Sequence, residues 1–461
     1  MHLDNSFFAL FVLCFMKELL AIETTTLSTA SINAKTIQTL WSVTFEPQLL
    51  NITMSQTKTI ELTVNNIDPA WNNNYEFHIL PAHKDLIKIE NAKILGSNIA
   101  QNLTQWKHNF TIDAIFLGHT TVYVDLHRSH MKVERAREFV RVTVLRNVGA
   151  SDIVFKAIVG AFVSVIYISY GAALDLIDLK RILVKPVGPA IGFVGQYLIM
   201  PILSYLIGYF LFRDMIELRL GLFLIGSTPG GGVSNVLTVL LDGNLNLSVA
   251  MTAISNLAAF GMMPIWIFTL GVLIFKDGNL DVPYKTIAYL SLSLLLPLTT
   301  GVVLQKCAPL ISKRMTRFLK PISLILMSSI IIFAFAVNTF MFKLFSWKII
   351  FASSALPWIG YVIGWIMAKV CKQSSKDCLT IAIETGIQNT GIAIFMVNFT
   401  LEQPLADITN AVPVANSLMT PLPLLLLYIC RRMYSCCDEY KVEKKPQVDE
   451  IKDHEIEGIL Q

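Results

Sequence analysis

Of 461 residues, 54% are hydrophobic and only 15% charged, and the mean hydropathy is +0.56. That is more apolar and less charged than soluble domains are, so an ordinary soluble protein and a disordered one are both excluded. A net charge of +4 is too small for a nucleic-acid binder, which leaves membrane lipid as the surrounding partner. The seven cysteines are Cys14, Cys307, Cys371, Cys378, Cys430, Cys436 and Cys437. They offer no disulfide framework between residues 22 and 150 and no metal-ligand spacing. Cys436 and Cys437 follow the last apolar segment, where a pair of surface thiols or a palmitoylation site is expected.

Residues 6–16, SFFALFVLCFM, are apolar but too short to span a bilayer, and Ala21 follows. A signal peptide over residues 1–22 is expected; a retained anchor is the alternative, because His2 stands where Lys or Arg is usual. Residues 23–150 change character. QTKTIELTVNN, YEFHIL, HNFTIDAIFLGHTTVYVDLHR and REFVRVTVLR alternate as strands with one buried face do. They predict a small extracellular or lumenal β-sandwich of immunoglobulin-like size without the Cys–Trp–Cys core. Sequons at Asn51, Asn102 and Asn109 fit such a surface. His78, His108, His119 and His127 are scattered and are expected on the surface.

From residue 151 to 430 nine spans are expected, over 153–174, 187–211, 218–240, 247–275, 285–304, 321–342, 348–369, 378–397 and 411–430. Lys180, Arg181, Lys185, Lys306, Lys313, Arg314, Arg317, Lys320, Lys369, Lys372, Lys376, Arg431 and Arg432 then fall on one side. The positive-inside rule makes that side cytoplasmic. A multi-pass protein of the plasma membrane is expected, its N-terminus outside and a tail over 431–461 in the cytoplasm. Asn246 would lie in a cytoplasmic turn, and Asn398 in an outer loop as a further glycosylation candidate.

Two polar interruptions break the apolar pattern, TPGGGVSN over 228–235 and ETGIQNTG over 384–391. Polar groups and glycines at membrane depth are tolerated where they line a cavity or bind an ion. One in each half is the signature of crossed, discontinuous helices. Ser234 and Asn235 follow the first glycine run, and Ser248, Thr252 and Asn256 share one helical face. Hydrogen bonding between packed helices is the plainer reading of that face. Glu384 tips the balance, since a carboxylate in the bilayer marks an ion or proton pathway. Carboxylate, amide and hydroxyl oxygens without sulfur or imidazole suit a hard cation such as Na⁺. No nucleophile–base pair, nucleotide loop or dinucleotide fingerprint is present, so the chain is not expected to be an enzyme and needs no cofactor beyond Na⁺ as coupling ion.

GQYLIMP at 195–201, STPGGGVSN at 227–235, LSVAMTAISNLAAFGMMP at 247–264 and ETGIQN at 384–389 resemble the sodium/bile acid cotransporter family. The layout is similar to its orphan members with a long N-terminal ectodomain. The resemblance implies an all-α polytopic transporter of nine transmembrane helices, built from inverted repeats into panel and core domains, behind the β-sandwich. It also implies a first sodium at Ser234, Asn235, Ser248, Thr252 and Glu384. A second is implied at Gln196, Glu384, Thr385, Ile387 and Gln388, with Thr385 and Ile387 acting through their carbonyls. Asn389 and Gly232 are placed beside the substrate, Gly232 standing where bile acid carriers can have a hydroxyl. Sodium-coupled symport of a small amphipathic organic anion, such as a bile acid or a conjugated or sulfated steroid, is therefore expected. The alternatives are a non-coupled carrier of the same fold and a receptor or sensor that has lost transport, whose ectodomain binds a protein partner.

Overall fold

The computed structural model describes residues 41–67, 75–99, 105–128, 133–147, 149–173, 186–278, 283–312, 314 and 343–433. The chain divides between Val144 and Leu145 into two compact units. The expected signal peptide, Asn102, the span 321–342 and nearly all of the tail lie outside the described residues.

The first unit holds strands β1 (Ser42–Glu46), β2 (Leu49–Thr53), β3 (Thr57–Asn65), β4 (Tyr75–Pro81), β5 (Ile87–Glu90), β6 (Lys93–Leu95), β7 (Gln105–Ala114), β8 (Gly118–Arg128), β9 (Glu134–Arg135) and β10 (Val140–Leu145). One sheet runs β1-β3-β7-β5, the other β2-β10-β8-β4-β6 with β9 beside β8. The period-2 pattern sets the register. In β10, Val140, Val142 and Val144 are buried while Arg141 is exposed, and an antiparallel pairing sets Val142 opposite Thr120. A slip of one residue would turn those valines to solvent. Ile60, Leu62 and Phe110 of one sheet pack with Phe77, Val122 and Val124 of the other, and each such side chain contributes about 1.5–3 kcal/mol. This β-rich unit is the sandwich that the alternation predicts.

The second unit is helical. Six helices are long and apolar enough to cross a membrane among the described residues. They are α1 (Ala150–Ala173), α2 (Val187–Leu211), α5 (Leu245–Asp277), α6 (Tyr284–Cys307), α7 (Trp347–Val370) and α10 (Leu405–Met433). The expected spans 218–240 and 378–397 are each interrupted. They form α3 (Ile216–Ser227) with α4 (Val233–Leu240), and α8 (Ser375–Gly386) with α9 (Thr390–Thr400). In α3 every residue from Leu218 to Ser227 is buried. A helix buried on all sides belongs inside a bundle rather than at its surface. A wide π-turn at Gly195–Ile199 interrupts the regular pitch of α2; such turns re-aim the side chains they carry, here that of Gln196.

Candidate functional site

The two interruptions meet. After Ser227, the Thr228 hydroxyl donates to the Ile225 carbonyl at 2.7 Å, and Pro229 has no N–H with which to continue a helix. In the other pair, Ile387 is extended after Gly386. Asn389 restarts the chain as N-cap of α9, its side-chain oxygen accepting from the Ile392 N–H at 3.3 Å. The Gly231 N–H donates to the Ile387 carbonyl at 3.1 Å, and the Asn389 N–H donates to the Pro229 carbonyl at 2.9 Å. Gly230 and Gln388 thus form a short antiparallel bridge. It satisfies backbone groups that broken helices leave without partners. A Cβ at Gly231 would stand 2.9 Å from the Gln388 carbonyl oxygen, so only glycine lets the strands approach this closely.

Beside the bridge lies the Glu384 carboxylate, 3% exposed, on the last turn of α8. Its Oε1 accepts from Ser234 at 2.6 Å, from Ser248 and from Thr252 at 3.1 Å; its Oε2 accepts from Thr252 at 3.0 Å. The i, i+4 spacing on α5 brings Ser248 and Thr252 to the same point. Each hydroxyl has a single proton, yet each faces more than one acceptor. Ser234 also reaches the Gly231 carbonyl at 2.7 Å, Ser248 the Asn235 side-chain oxygen at 2.9 Å, and Thr252 the Ser248 carbonyl at 3.0 Å. Oxygen acceptors therefore outnumber hydroxyl protons around a buried carboxylate. A cation would fill that deficit, and among the described residues the side chains that donate to Glu384 are all hydroxyls. The donor set is hard oxygen throughout, and no group of three His, Cys, Asp or Glu side chains suited to a metal exists among the described residues.

The second expected set is joined by its amides. The Gln196 nitrogen donates to the Thr228 carbonyl at 2.7 Å and to the Gln388 side-chain oxygen. The Gln388 nitrogen donates to the Thr385 carbonyl at 3.0 Å, and the Thr385 hydroxyl turns back to the Ile381 carbonyl at 2.8 Å. The Ile387 carbonyl, expected as a ligand, serves the bridge, and one lone pair remains to it. Asn389, expected to face substrate, has its side-chain oxygen engaged as a helix cap. Gly232 is the N-cap of α4 and half-buried.

Sequence reasoning passed over Ser255. Its hydroxyl accepts from the Gly230 N–H at 3.3 Å and donates to the Thr252 carbonyl at 3.0 Å, so α5 touches the bridge directly. The signal was there: Ser255 stands three residues after Thr252 on nearly the same face. Asn256, the third residue of the expected polar face, donates to the Thr252 carbonyl at 2.8 Å, and its buried oxygen has no partner among the described residues. The glycosylation candidates differ from one another. Asn51 and Asn109 are exposed on the sandwich. Asn398 is 9% exposed and donates to the Ile394 carbonyl of its own helix at 2.8 Å, so its amide is withdrawn from an enzyme's reach in this conformation.

A family model described as Sodium Bile acid symporter family matches residues 161–344. The P3 protein of Mus musculus is 30% identical over 267 residues, 58% of this chain and 56% of that protein; the chain thus spans just over half the length of that relative. The hepatic sodium/bile acid cotransporter of Homo sapiens is 31% identical over 256 residues, 54% of this chain and 71% of that protein. The sodium-dependent organic anion transporter of Mus musculus is 29% identical over 312 residues, 64% of this chain and 82% of that protein.

Proposed function

This chain belongs to the sodium bile acid symporter family, and from that premise we propose that it is a sodium-coupled symporter of a small amphipathic organic anion. A bile acid or a conjugated or sulfated steroid is the cargo class. The family's members are transporters and the chain is a multi-pass membrane protein; the cargo, the coupling and the plasma-membrane location are our reading. The observation that carries it is the buried Glu384 carboxylate among hydroxyls too poor in protons to satisfy it.

One sodium would sit among Ser234, Asn235, Ser248, Thr252 and Glu384. A second would sit among Gln196, Glu384, Thr385, Ile387 and Gln388, taking the free lone pair at Ile387. The two interrupted pairs are the crossed discontinuous helices of a core domain. With sodium bound, the charge of Glu384 is neutralised and the end of α8 is tied to α4 and α5. Without it, the carboxylate stays desolvated and without a counter-ion, which disfavours the loaded arrangement. Coupling then arises because the arrangement that accepts the anion beside Asn389 and Gly232 is the one that sodium stabilises. The missing hydroxyl at Gly232 favours an anion whose recognition does not depend on that contact.

Uptake of a sulfated steroid and of a conjugated bile acid into vesicles carrying the purified protein tests this reading. Uptake should follow an inward sodium gradient and fall to background in choline. Equal uptake in both salts would remove the coupling.

A further inference from the structure

Next to Glu384 a crevice runs between α2 and α5, with Gln196, Ser255 and Glu384 at its polar end. Its other lining residues include Gly192, Met251 and Ile254. Gly192 and Met251 lie within the first two turns of α2 and α5, which begin at Val187 and Leu245, whereas Gln196 and Ser255 lie a turn deeper. The crevice therefore leads from the end of the membrane unit where these helices start toward the carboxylate. Met251 stands across it. Only 5% exposed, it packs in one cluster with Ile191, Cys378 and Ile381. A Cβ at Gly192 would collide with the Met251 terminal methyl and lie 3.2 Å from its sulfur, so the thioether occupies the space that glycine leaves open. An unbranched methionine changes rotamer more readily than the β-branched residues around it. Within this plug it can swing aside without moving a helix.

We infer that this crevice is the route by which the coupling cation passes between Glu384 and the face carrying Val187 and Leu245, and that Met251 closes it. The inference rests on the proposed sodium reading, and the proposed orientation makes that face cytoplasmic. The apolar plug holds back a hydrated cation while Met251 is in place. Withdrawing it gives the cation a path on which Ser255 and Gln196 offer oxygens before Glu384 does.

The test uses the full chain in vesicles, its native cysteines replaced, with Ile254→Cys placing a thiol in the crevice. Phe193→Cys, on the opposite wall, is the second reporter should the first variant fold poorly. The probe is 2-aminoethyl methanethiosulfonate, a small thiol-reactive cation. It should modify either thiol from the cytoplasmic face only, and sodium in place of choline should slow it by filling the end of the crevice. Met251→Ala should raise the rate by at least about tenfold, and Met251→Leu, which keeps the bulk, by far less. Modification from the outer face alone, or a rate indifferent to Met251→Ala, overturns the inference. A rate that rises with Met251→Ala but is the same in sodium and choline upholds the route while sinking the sodium reading, so the two failures are distinguishable.

Discussion

Each unit of this protein buries carboxylates, and one of those in the membrane unit is treated differently from the rest. In the sandwich, Asp125 is 5% exposed and receives a two-pronged pair from Arg135, at 2.8 Å from Nε and 3.0 Å from Nη2. In the membrane unit, Asp407 is held likewise by Arg146, at 2.9 Å and 3.3 Å. Glu384 has hydroxyls where those two have arginines. A buried charge left without a counter-charge is costly, and both Asp125 and Asp407 have a guanidinium beside them, Arg146 serving Asp152 as well. In the proposed symport, Glu384 lacks one because its cation would come and go. The wider pattern agrees. The sandwich core is built mainly of valines, isoleucines and phenylalanines, whereas the membrane unit exposes Phe351, Trp358 and Val362 and buries Gln196, Ser234, Ser248 and Thr252.

That contrast is open to direct attack. The largest effect is expected from Glu384→Gln, which keeps the shape and removes the charge: sodium-driven uptake should vanish with the protein still at the cell surface. The thermal stabilisation by sodium over choline, which follows from ligand linkage, should vanish with it. Retention of both would make Glu384 a structural carboxylate like the other two. Next, Arg135→Ala strands Asp125 and should cost about 1–3 kcal/mol of sandwich stability, equally in sodium and choline; pulse proteolysis of the whole protein reads it. A sodium-dependent loss would contradict the separation of roles. A smaller effect is expected at Thr252→Ala, which removes one hydroxyl of several. The sodium requirement should rise about five- to tenfold, from roughly 1 kcal/mol of lost contact, with the substrate preference unaltered and Thr252→Ser restoring it. Smallest is a glycosylation readout. Asn109→Gln should shift the electrophoretic mobility by one glycan, whereas Asn398→Gln should leave it unchanged; a shift at Asn398 would mean that α9 frees its last turn.

How far the sequence anticipates this architecture depends on how local each signal is. Period-2 alternation is local, and strands such as QTKTIELTVNN and REFVRVTVLR lie where the pattern puts them. The convergence of Ser248 and Thr252 follows from helical spacing alone, and the isolation of Glu384 in apolar sequence marks it before any fold is known. The pairing of Gly231 with Ile387 spans more than 150 residues, and no spacing rule shows which carbonyl meets which N–H. For the same reason the sequence does not show that Ile387 spends its carbonyl on a bridge, or that Asn389 serves as a cap. The π-turn that aims Gln196 carries no residue signature, since GQYLI reads as ordinary helix. Asn398 matches a sequon whatever its burial, because a sequon is a three-residue pattern and exposure is a property of the packed bundle.

The short bridge between the interruptions has one more consequence. Two helices end at it, α3 at Ser227 and α8 at Gly386, and two begin just past it, α4 at Val233 and α9 at Thr390. A helix carries roughly half a positive charge at its start and half a negative charge at its end. Two negative and two positive poles thus converge on one junction. Its negative poles favour a cation beside Glu384, and its positive poles favour an anion beside Asn389. In the proposed symport, a sodium ion and an organic anion would thus be attracted to neighbouring positions, one by helix ends and the other by helix starts.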